Sequence, residues 1–465
     1  MLGWLYRGME RPIRARPRRL AGMLDYVPVW LVRGLARAKL VHMLRYVYRR
    51  SPAQRARWNQ AGVGLSDIRS PDVLRHMPFT TPEQLAEHPE EYICVPTAEL
   101  IHVLTTTGTK GVPKKIYFTS GDLERQINMM GSFLGRLPGV RRAMAIFNTD
   151  LPTWSAGSVA RRGIEAAGIF GILSHSGRDP AEQIDLIREY EIDFLLTMPA
   201  CLHRITCEAG TELSTLGVRY IQVAGQAWPE TFRREIETAW GAKLLDCYGS
   251  MEFACAVASE CVCQNGLHLA EPDFWVEIVD PDTNEVRPDG EDGEVVLTTL
   301  SRRGMPLVRY RTHDVAHLMP RPTRCECGLP VRKMSRVRGR LDDVVIVGGD
   351  ANVYADEFDR AFLSLPGVTD YQVVIEKDGH RDMIHVRAEA DGDRPQLREA
   401  LVAALLGITY INIAHEKTKT LIVGKVEVVP SGRLSKGRSK TRRIVDKREM
   451  PTAVELLRSH RGGRG

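Results

Sequence analysis

The chain is 465 residues long, with 43% hydrophobic and 26% charged residues, which exceeds one typical domain and fits a large globular domain with a smaller companion. No apolar run approaches the roughly 20 residues a membrane span needs (the longest near the start is Tyr26 to Val32), and the arginine-rich beginning lacks the apolar core of a secretory signal, which points to the cytoplasm. The net charge of +6 is uneven: 14 Lys/Arg against 2 Asp/Glu in residues 1–60, and 11 against 3 in residues 431–465, leave the residues between them at −14, a distribution that does not fit a nucleic-acid-binding domain.

The basic ends read first as solvated helix faces and tail, with an acidic carrier protein, CoA phosphates or a membrane surface as alternative contacts. Over residues 20–60, Val32, Leu35, Ala36, Leu40, Met43, Leu44 and Val47 recur at helical spacing until Ser51-Pro52. From about 100 to 320, β-rich runs (Ile101–Leu104, Arg142–Phe147, Phe194–Met198, Tyr220–Val223, Lys243–Cys247) alternate with helical stretches such as 181–191 and 229–240. Such alternation predicts an α/β domain with a largely parallel sheet. Phe274–Val279 and Gly293–Leu300, joined through Asp280-Pro281-Asp282, read as antiparallel strands. After Gly339 a small α+β unit begins: a strand at Val344–Val347, a helix near 355–364, strands at 371–376 and 383–389, a helix near 395–405 and a strand at 421–429. The expected domains are 1–339, including a basic helical lead-in over 1–60, and 340–465, with a hinge near 340.

The segment Leu104-Thr105-Thr106-Thr107-Gly108-Thr109-Lys110-Gly111-Val112-Pro113-Lys114-Lys115 lies between two expected strands. Its glycines permit positive-φ turns that converge backbone N–H groups on an anion, its threonines add donors, and its lysines neutralise charge. The Walker spacing is absent. A polar hairpin turn is the alternative. The stretch from Thr106 to Lys114 resembles the phosphate loop of adenylate-forming enzymes, with Lys110 in place of a threonine. The resemblance assigns ATP phosphates to Thr106, Thr107, Gly108, Thr109, Lys110, Gly111 and Lys114.

Further segments resemble the phenylacetate–CoA ligase branch in the same order, from about Tyr48 to Arg448. Ala224-Gly225-Gln226-Ala227-Trp228-Pro229-Glu230 is similar to the segment that wraps adenine, with Gln226 replacing a glutamate. Tyr248-Gly249-Ser250-Met251-Glu252 resembles the motif whose tyrosine stacks near adenine and whose glutamate holds Mg²⁺. Tyr310-Arg311-Thr312-His313-Asp314 resembles the motif whose aspartate accepts from the ribose hydroxyls. Gly339-Arg340-Leu341-Asp342-Asp343 resembles the hinge, with Asp342 at the pivot and Arg340 near the nucleotide. These roles agree with chemistry: Mg²⁺ prefers carboxylate and phosphate oxygens, and a diol pairs with an ionised carboxylate. The family fold implied is a large adenylate-forming domain with mostly parallel sheets and an antiparallel subdomain, plus a small mobile α+β domain.

The tail Lys436-Gly437-Arg438-Ser439-Lys440-Thr441-Arg442-Arg443-Ile444-Val445-Asp446-Lys447-Arg448 resembles the family's catalytic stretch and places Lys440 in the catalytic position. A carboxylate attacking an anionic phosphorus needs such a cation; a solvated basic tail is the other reading. Two cysteine clusters, Cys261-Val262-Cys263 with His268 and Cys325-Glu326-Cys327-Gly328, have zinc half-site character, and nine cysteines in a reducing compartment point to metal rather than disulfides. Some phenylacetate–CoA ligase relatives carry a similar arrangement, which implies Cys261, His268, Cys325 and Cys327 as ligands of a structural Zn²⁺. Cys255 and Cys263 are alternatives.

The resemblance implies ATP-dependent activation of an aryl or small carboxylic acid to its acyl-AMP, followed by transfer to CoA. Asp150 and Trp154 are weak candidates for the acid pocket. The segment Val347-Gly348-Gly349-Asp350-Ala351-Asn352-Val353 lacks the arginine and proline of the family's thioester-forming face, which leaves room for a carrier-protein thiol or an amine as acceptor. A non-catalytic, zinc-stabilised AMP-binding interaction protein is the remaining alternative. An oligomer is compatible with the sequence.

Overall fold

The computed structural model describes residues 27–105, 114–147, 156–208, 212–225, 228, 230–281, 283–320, 325–337, 339–340, 345–347, 351–353, 355–363, 365, 367–379, 381–390, 395–430, 433–434 and 444–448. Helices α1 (Val29–Arg50) and α2 (Pro52–Gln60) meet at Ser51, whose hydroxyl accepts from the Gln54 amide and caps α2. Pro52 suits the first turn of α2 but cannot extend α1. The expected stripe of α1 is buried apart from the half-buried Leu35: Val32 is covered, and Ala36, Leu40, Met43, Leu44 and Val47 cluster with Trp58, Ile68, Leu74, Leu300 and Val308. Lys39 departs from the reading of solvated cations. It is buried on that same face, donating to the Pro272 carbonyl at 2.5 Å and to the Ser301 hydroxyl at 2.7 Å. Burial pushes its pKa down to about 7.

Strands β1 (Leu100–Thr105) and β2 (Lys115–Thr119) form an antiparallel pair. Helix α3 (Ser120–Leu134) follows, started by a capping box between Thr119 and Asp122. Then β3 (Arg142–Phe147), α4 (Ala156–Ala166), β4 (Phe170–His175), α5 (Pro180–Glu189), β5 (Phe194–Thr197), α6 (Pro199–Glu208), β6 (Tyr220–Ala224), α7 (Glu230–Trp240) and β7 (Lys243–Ser250) alternate as expected. Next come β8 (Cys255–Glu260), β9 (Leu267–Leu269), β10 (Phe274–Val279), β11 (Gly293–Thr299), β12 (Tyr310–Ala316), β13 (Lys333–Met334) and β14 (Gly339–Arg340).

The large sheet has the order β13-β9-β8-β7-β6-β5-β3-β4. Its β4-β3-β5-β6-β7 half is parallel, and β8, β9 and β13 run antiparallel. The inner parallel strands are buried on both faces, with Ala143 to Ile146 and Phe194 to Leu196 at or near zero exposure, which is why they read as continuous apolar runs. Strands β10-β11-β12-β14 form a second, antiparallel sheet.

The chain then builds a unit with its own core. A β15 (Val345–Val347) and β16 (Ala351–Val353) hairpin and α8 (Ala355–Phe362) precede β17 (Val368–Asp378), β18 (Arg381–Ala390), α9 (Pro395–Gly407), β19 (Leu421–Val429) and β20 (Ile444–Asp446). Its sheet order is β19-β18-β17-β20, and Phe358, Phe362, Tyr371, Leu401 and Leu405 fill its centre. No single helix among the described residues is long and apolar enough to cross a membrane.

Candidate active site and cysteine–histidine cluster

The sheet topology brings together residues distant in sequence. The β1–β2 pair is closed at Thr105 and Lys115, so the eight residues 106–113 between Thr105 and Lys114 connect two adjacent strands. Lys114, the last residue of the candidate phosphate loop, is buried. Its Nζ lies 2.5 Å from the Glu252 carboxylate and 3.2 Å from the Tyr310 hydroxyl. Tyr310 in turn donates to Glu252 at 2.9 Å. Glu252 sits just past the end of β7, and Tyr310 opens β12, so the triad ties the large sheet to the antiparallel one.

Burial opposes the charge of Glu252, but the Lys114 ammonium and the hydrogen bonds around it hold the carboxyl down at about 2. Behind the turn, Arg302 donates to the Glu252 carbonyl at 2.6 Å and lies 4.7 Å from the Phe118 ring centroid. Burial pushes Arg302 down to about 10, and its Nε and Nη2 have no partner among the described residues.

A second pair lies alongside. The Tyr248 hydroxyl donates to Asp314 at 2.8 Å, and Asp314 pairs in register with Arg340 of β14. Gly225 directly follows β6 with φ +85°, the left-handed region that favours glycine, so the segment expected to wrap adenine begins with a turn that other residues rarely adopt. Just beyond it, the Arg336 guanidinium lies over the Trp228 ring at 3.4 Å, donates to the Trp228 carbonyl at 2.7 Å and pairs with Asp246 at 2.9 Å. The buried Ser250 hydroxyl lacks a partner among the described residues. Non-glycine residues with positive φ flank the site: Ala254 at 59°, Arg309 at 49° and His313 at 62°, each beside Glu252, Tyr310 or Asp314. Such backbone is costly and persists where surrounding structure over-determines it.

The structure thus groups Lys114, Tyr248, Gly249, Ser250, Glu252 and Asp314, with Gly225 just past the neighbouring strand, at the carboxyl ends of β6 and β7, where open α/β sheets take ligands. Thr106, Thr107, Gly108, Thr109, Lys110, Gly111, Gln226, Asp150, Trp154, Asp342 and Lys440 lie outside the described residues, and Arg340 is described by its backbone. Arg302 and Arg336 were not singled out from the sequence, because no local pattern marks an arginine that will be buried under a remote turn. Tyr310 was named within its motif, but its hydroxyl bridge between Lys114 and Glu252 is a tertiary feature.

Some distance along β8 and β9, Cys261, His268, Cys325 and Cys327 place their ligand atoms within 4.8 Å of one another. The Cys261 and Cys325 sulfurs are 3.9 Å apart, and Cys327 Sγ lies 3.3 Å from His268 Nε2. A tetrahedral zinc with Zn–S bonds of about 2.3 Å separates its sulfurs by about 3.8 Å, so the donor set fits that ion. The thiol of Cys261 holds Cys327 well below the ordinary thiol range, so one ligand is disposed to be a thiolate.

The description "AMP-binding enzyme" fits residues 45–301, more than half of the chain, and "AMP-binding enzyme C-terminal domain" fits residues 350–448. Phenylacetate-coenzyme A ligase of Pseudomonas putida is 28% identical over 412 residues, covering 87% of this chain and 92% of the relative. The enzyme of the same description from Thermus thermophilus is 29% identical over 447 residues, covering 92% and 99%. Among solved structures, 2-hydroxyisobutyryl-CoA ligase with 2-HIB-AMP and CoA in the thioesterification state matches with a TM-score of 0.75 at 21% identity, over 92% of this chain and 91% of that one. The same enzyme in its postadenylation state matches with a TM-score of 0.62 at 19% identity over the same shares. From the profile match and the order of its motifs, the chain belongs to the AMP-binding enzyme family.

Proposed function

We propose that this chain activates an aryl or other small carboxylic acid with ATP, forming the acyl-AMP and releasing pyrophosphate, and then transfers the acyl group to the thiol of CoA. The observation that carries this reading is the convergence of Lys114, Glu252 and Tyr310 beside Tyr248 and Asp314, next to the loop whose sequence matches a phosphate-binding turn. Glu252 is kept ionised and already holds a cation in its pocket, so its chemistry fits Mg²⁺ carried in with ATP. That ion would neutralise phosphate charge as pyrophosphate leaves. Lys114, released from the carboxylate, is then placed to face a phosphate oxygen. Asp314 accepts from the ribose hydroxyls, and Tyr248, held by its hydrogen bond to Asp314, presents its ring to the adenine. Lys440 bridges the attacking carboxylate and the α-phosphate, while Thr106, Thr107, Gly108, Thr109, Lys110 and Gly111 cradle the phosphates.

The domain boundary belongs at 339/340, with Asp342 as pivot and Arg340 near the nucleotide. The likeness along nearly the whole chain to curated phenylacetate-coenzyme A ligases supports CoA as acceptor. The missing arginine and proline near 348–354 favour a second reading, in which the acyl-AMP meets a carrier-protein thiol or an amine. Cys261, His268, Cys325 and Cys327 hold a structural zinc in a closed four-ligand shell. The cytoplasm, where such thiols stay reduced, is the proposed compartment.

The deciding experiment is ATP–pyrophosphate exchange with a panel of aryl, short and amino acids, beside Lys440→Ala. Acid-dependent exchange that drops by about a hundredfold or more in the variant supports adenylation. Adding CoA, carrier protein or amines to the responsive acid then identifies the acceptor by AMP release. If the folded protein binds AMP yet no acid supports exchange, the catalytic reading fails and the AMP-binding interaction protein replaces it.

A further inference from the structure

Helix α1 has two faces with different chemistry. The inner face is occupied by the core contacts given above and pinned by Lys39. The outer face carries Trp30, 72% exposed, and Leu31, 43% exposed, with Gly34, Arg37, Ala38, His42 and Arg49 exposed along the same side. From Val27 to Gln60 there are eight Lys/Arg and no Asp/Glu, and five further arginines fall between Arg11 and Arg19. The large apolar side chains exposed at the start of α1 therefore belong to the most basic stretch of the sequence.

We infer that this end of the molecule docks peripherally on an anionic lipid surface. Trp and Leu are the side chains that enter the boundary between headgroups and acyl chains. Arginine keeps its guanidinium at phosphate level, and a run of several arginines is drawn to negative headgroups. An acidic protein would satisfy the charge but offers no comparable place for two bulky exposed apolar residues outside a matching pocket. Because Lys39 and the buried stripe hold α1 rigidly, the outer face is presented without unfolding the helix. The surface is formed before binding. It involves no span: the contact lies in the interface plane and reverses with salt.

The test uses the full chain in flotation with vesicles of neutral phosphatidylcholine and with vesicles containing one third phosphatidylglycerol. The chain is expected to float with the anionic vesicles alone, and to dissociate as NaCl rises from about 0.05 to about 0.5 M. The double substitution Trp30→Ser/Leu31→Ser is expected to weaken partitioning about tenfold, with the thermal midpoint unchanged. Replacing Arg14, Arg16, Arg18 and Arg19 by Ser is expected to remove the preference for anionic lipid. Equal binding to both vesicle types, or binding unchanged in both variants, overturns the proposal. Absence from vesicles together with capture by an acidic carrier protein overturns it as well, in favour of a protein partner.

Discussion

At the residue scale, the Lys114–Glu252 pair carries the largest energetic consequence, since both side chains are under 10% exposed. A buried pair costs much to desolvate and gives most of it back through mutual attraction, so deleting one partner is far worse than never having had either. Lys114→Met is expected to cost about 3 kcal/mol or more at neutral pH, because the Glu252 carboxylate would keep its burial and lose its main counter-charge. The pH dependence distinguishes this cause from loss of packing. In the native protein the Glu252 pKa lies near 2, below its unfolded value, so the pair's contribution is complete above the unfolded pKa and fades only as pH falls toward 2. In the variant, burial acts with less opposition and raises the pKa above the unfolded value. Its destabilisation is then present at neutral pH and relieved as the carboxyl takes up a proton. Urea unfolding of both proteins at neutral and mildly acidic pH is the check: the gap should narrow on acidification, and an unchanged gap would rule out the electrostatic account.

At the element scale, the cysteine–histidine cluster ties a loop to two very short strands, whose Leu267, Leu269 and Met334 are buried in the core. β9 is three residues and β13 two, their pairing carries His268 opposite Lys333, and Cys325 and Cys327 arrive from a loop. Short strands of this kind cannot supply much stability themselves, so a bound metal would act as the staple of this corner. The purified chain is expected to contain about one zinc by elemental analysis, and strong chelation is expected to lower its thermal midpoint. Cys325→Ser/Cys327→Ser should abolish the metal content and make the midpoint insensitive to chelator; full retention of zinc by that variant would disprove the ligand set. How far these elements were readable from sequence follows from the same local physics. Phe194–Thr197 and Lys243–Ser250 stand out because a doubly covered parallel strand is a continuous apolar run flanked by turn residues. Phe170–His175 did not, since it is an edge strand whose burial is mixed and whose sequence alternates with glycine and serine. Cys255–Glu260 was hidden by its alanines and serine, which have no strand preference of their own and take that form from pairing with β7 and β9. The motifs named the residues of the candidate nucleotide site, whereas the Arg302 and Arg336 props depend on burial that no local pattern encodes.

At the scale of the whole molecule, the hydrophobic clusters of the described residues divide the chain: one runs from Val353 to Ile444 and shares no member with the three formed by residues before 340. Two half-reactions with different geometric demands are served most simply by moving one rigid body against another about a short connection. The connection begins just after β14, whose Gly339 and Arg340 are paired to Val315 and Asp314. The strand that anchors the pivot is thus fastened to the strand that carries the candidate ribose acceptor. With the pivot proposed at Asp342, the smaller unit would reorient while Asp314 stays held by its own sheet. Proline at this position tests the idea, since its ring fixes φ near −65° and restricts the residue before it as well. Asp342→Pro is expected to leave one half-reaction within about threefold of the parent and slow the other by about tenfold or more, because a fixed φ suits one orientation better than the other. Pyrophosphate exchange reads the first half, and thioester formation from preformed acyl-AMP reads the second. Equal losses in both would indicate a folding defect at the junction, and no loss in either would place the pivot elsewhere; separated rates with an unchanged unfolding midpoint would locate it at this residue.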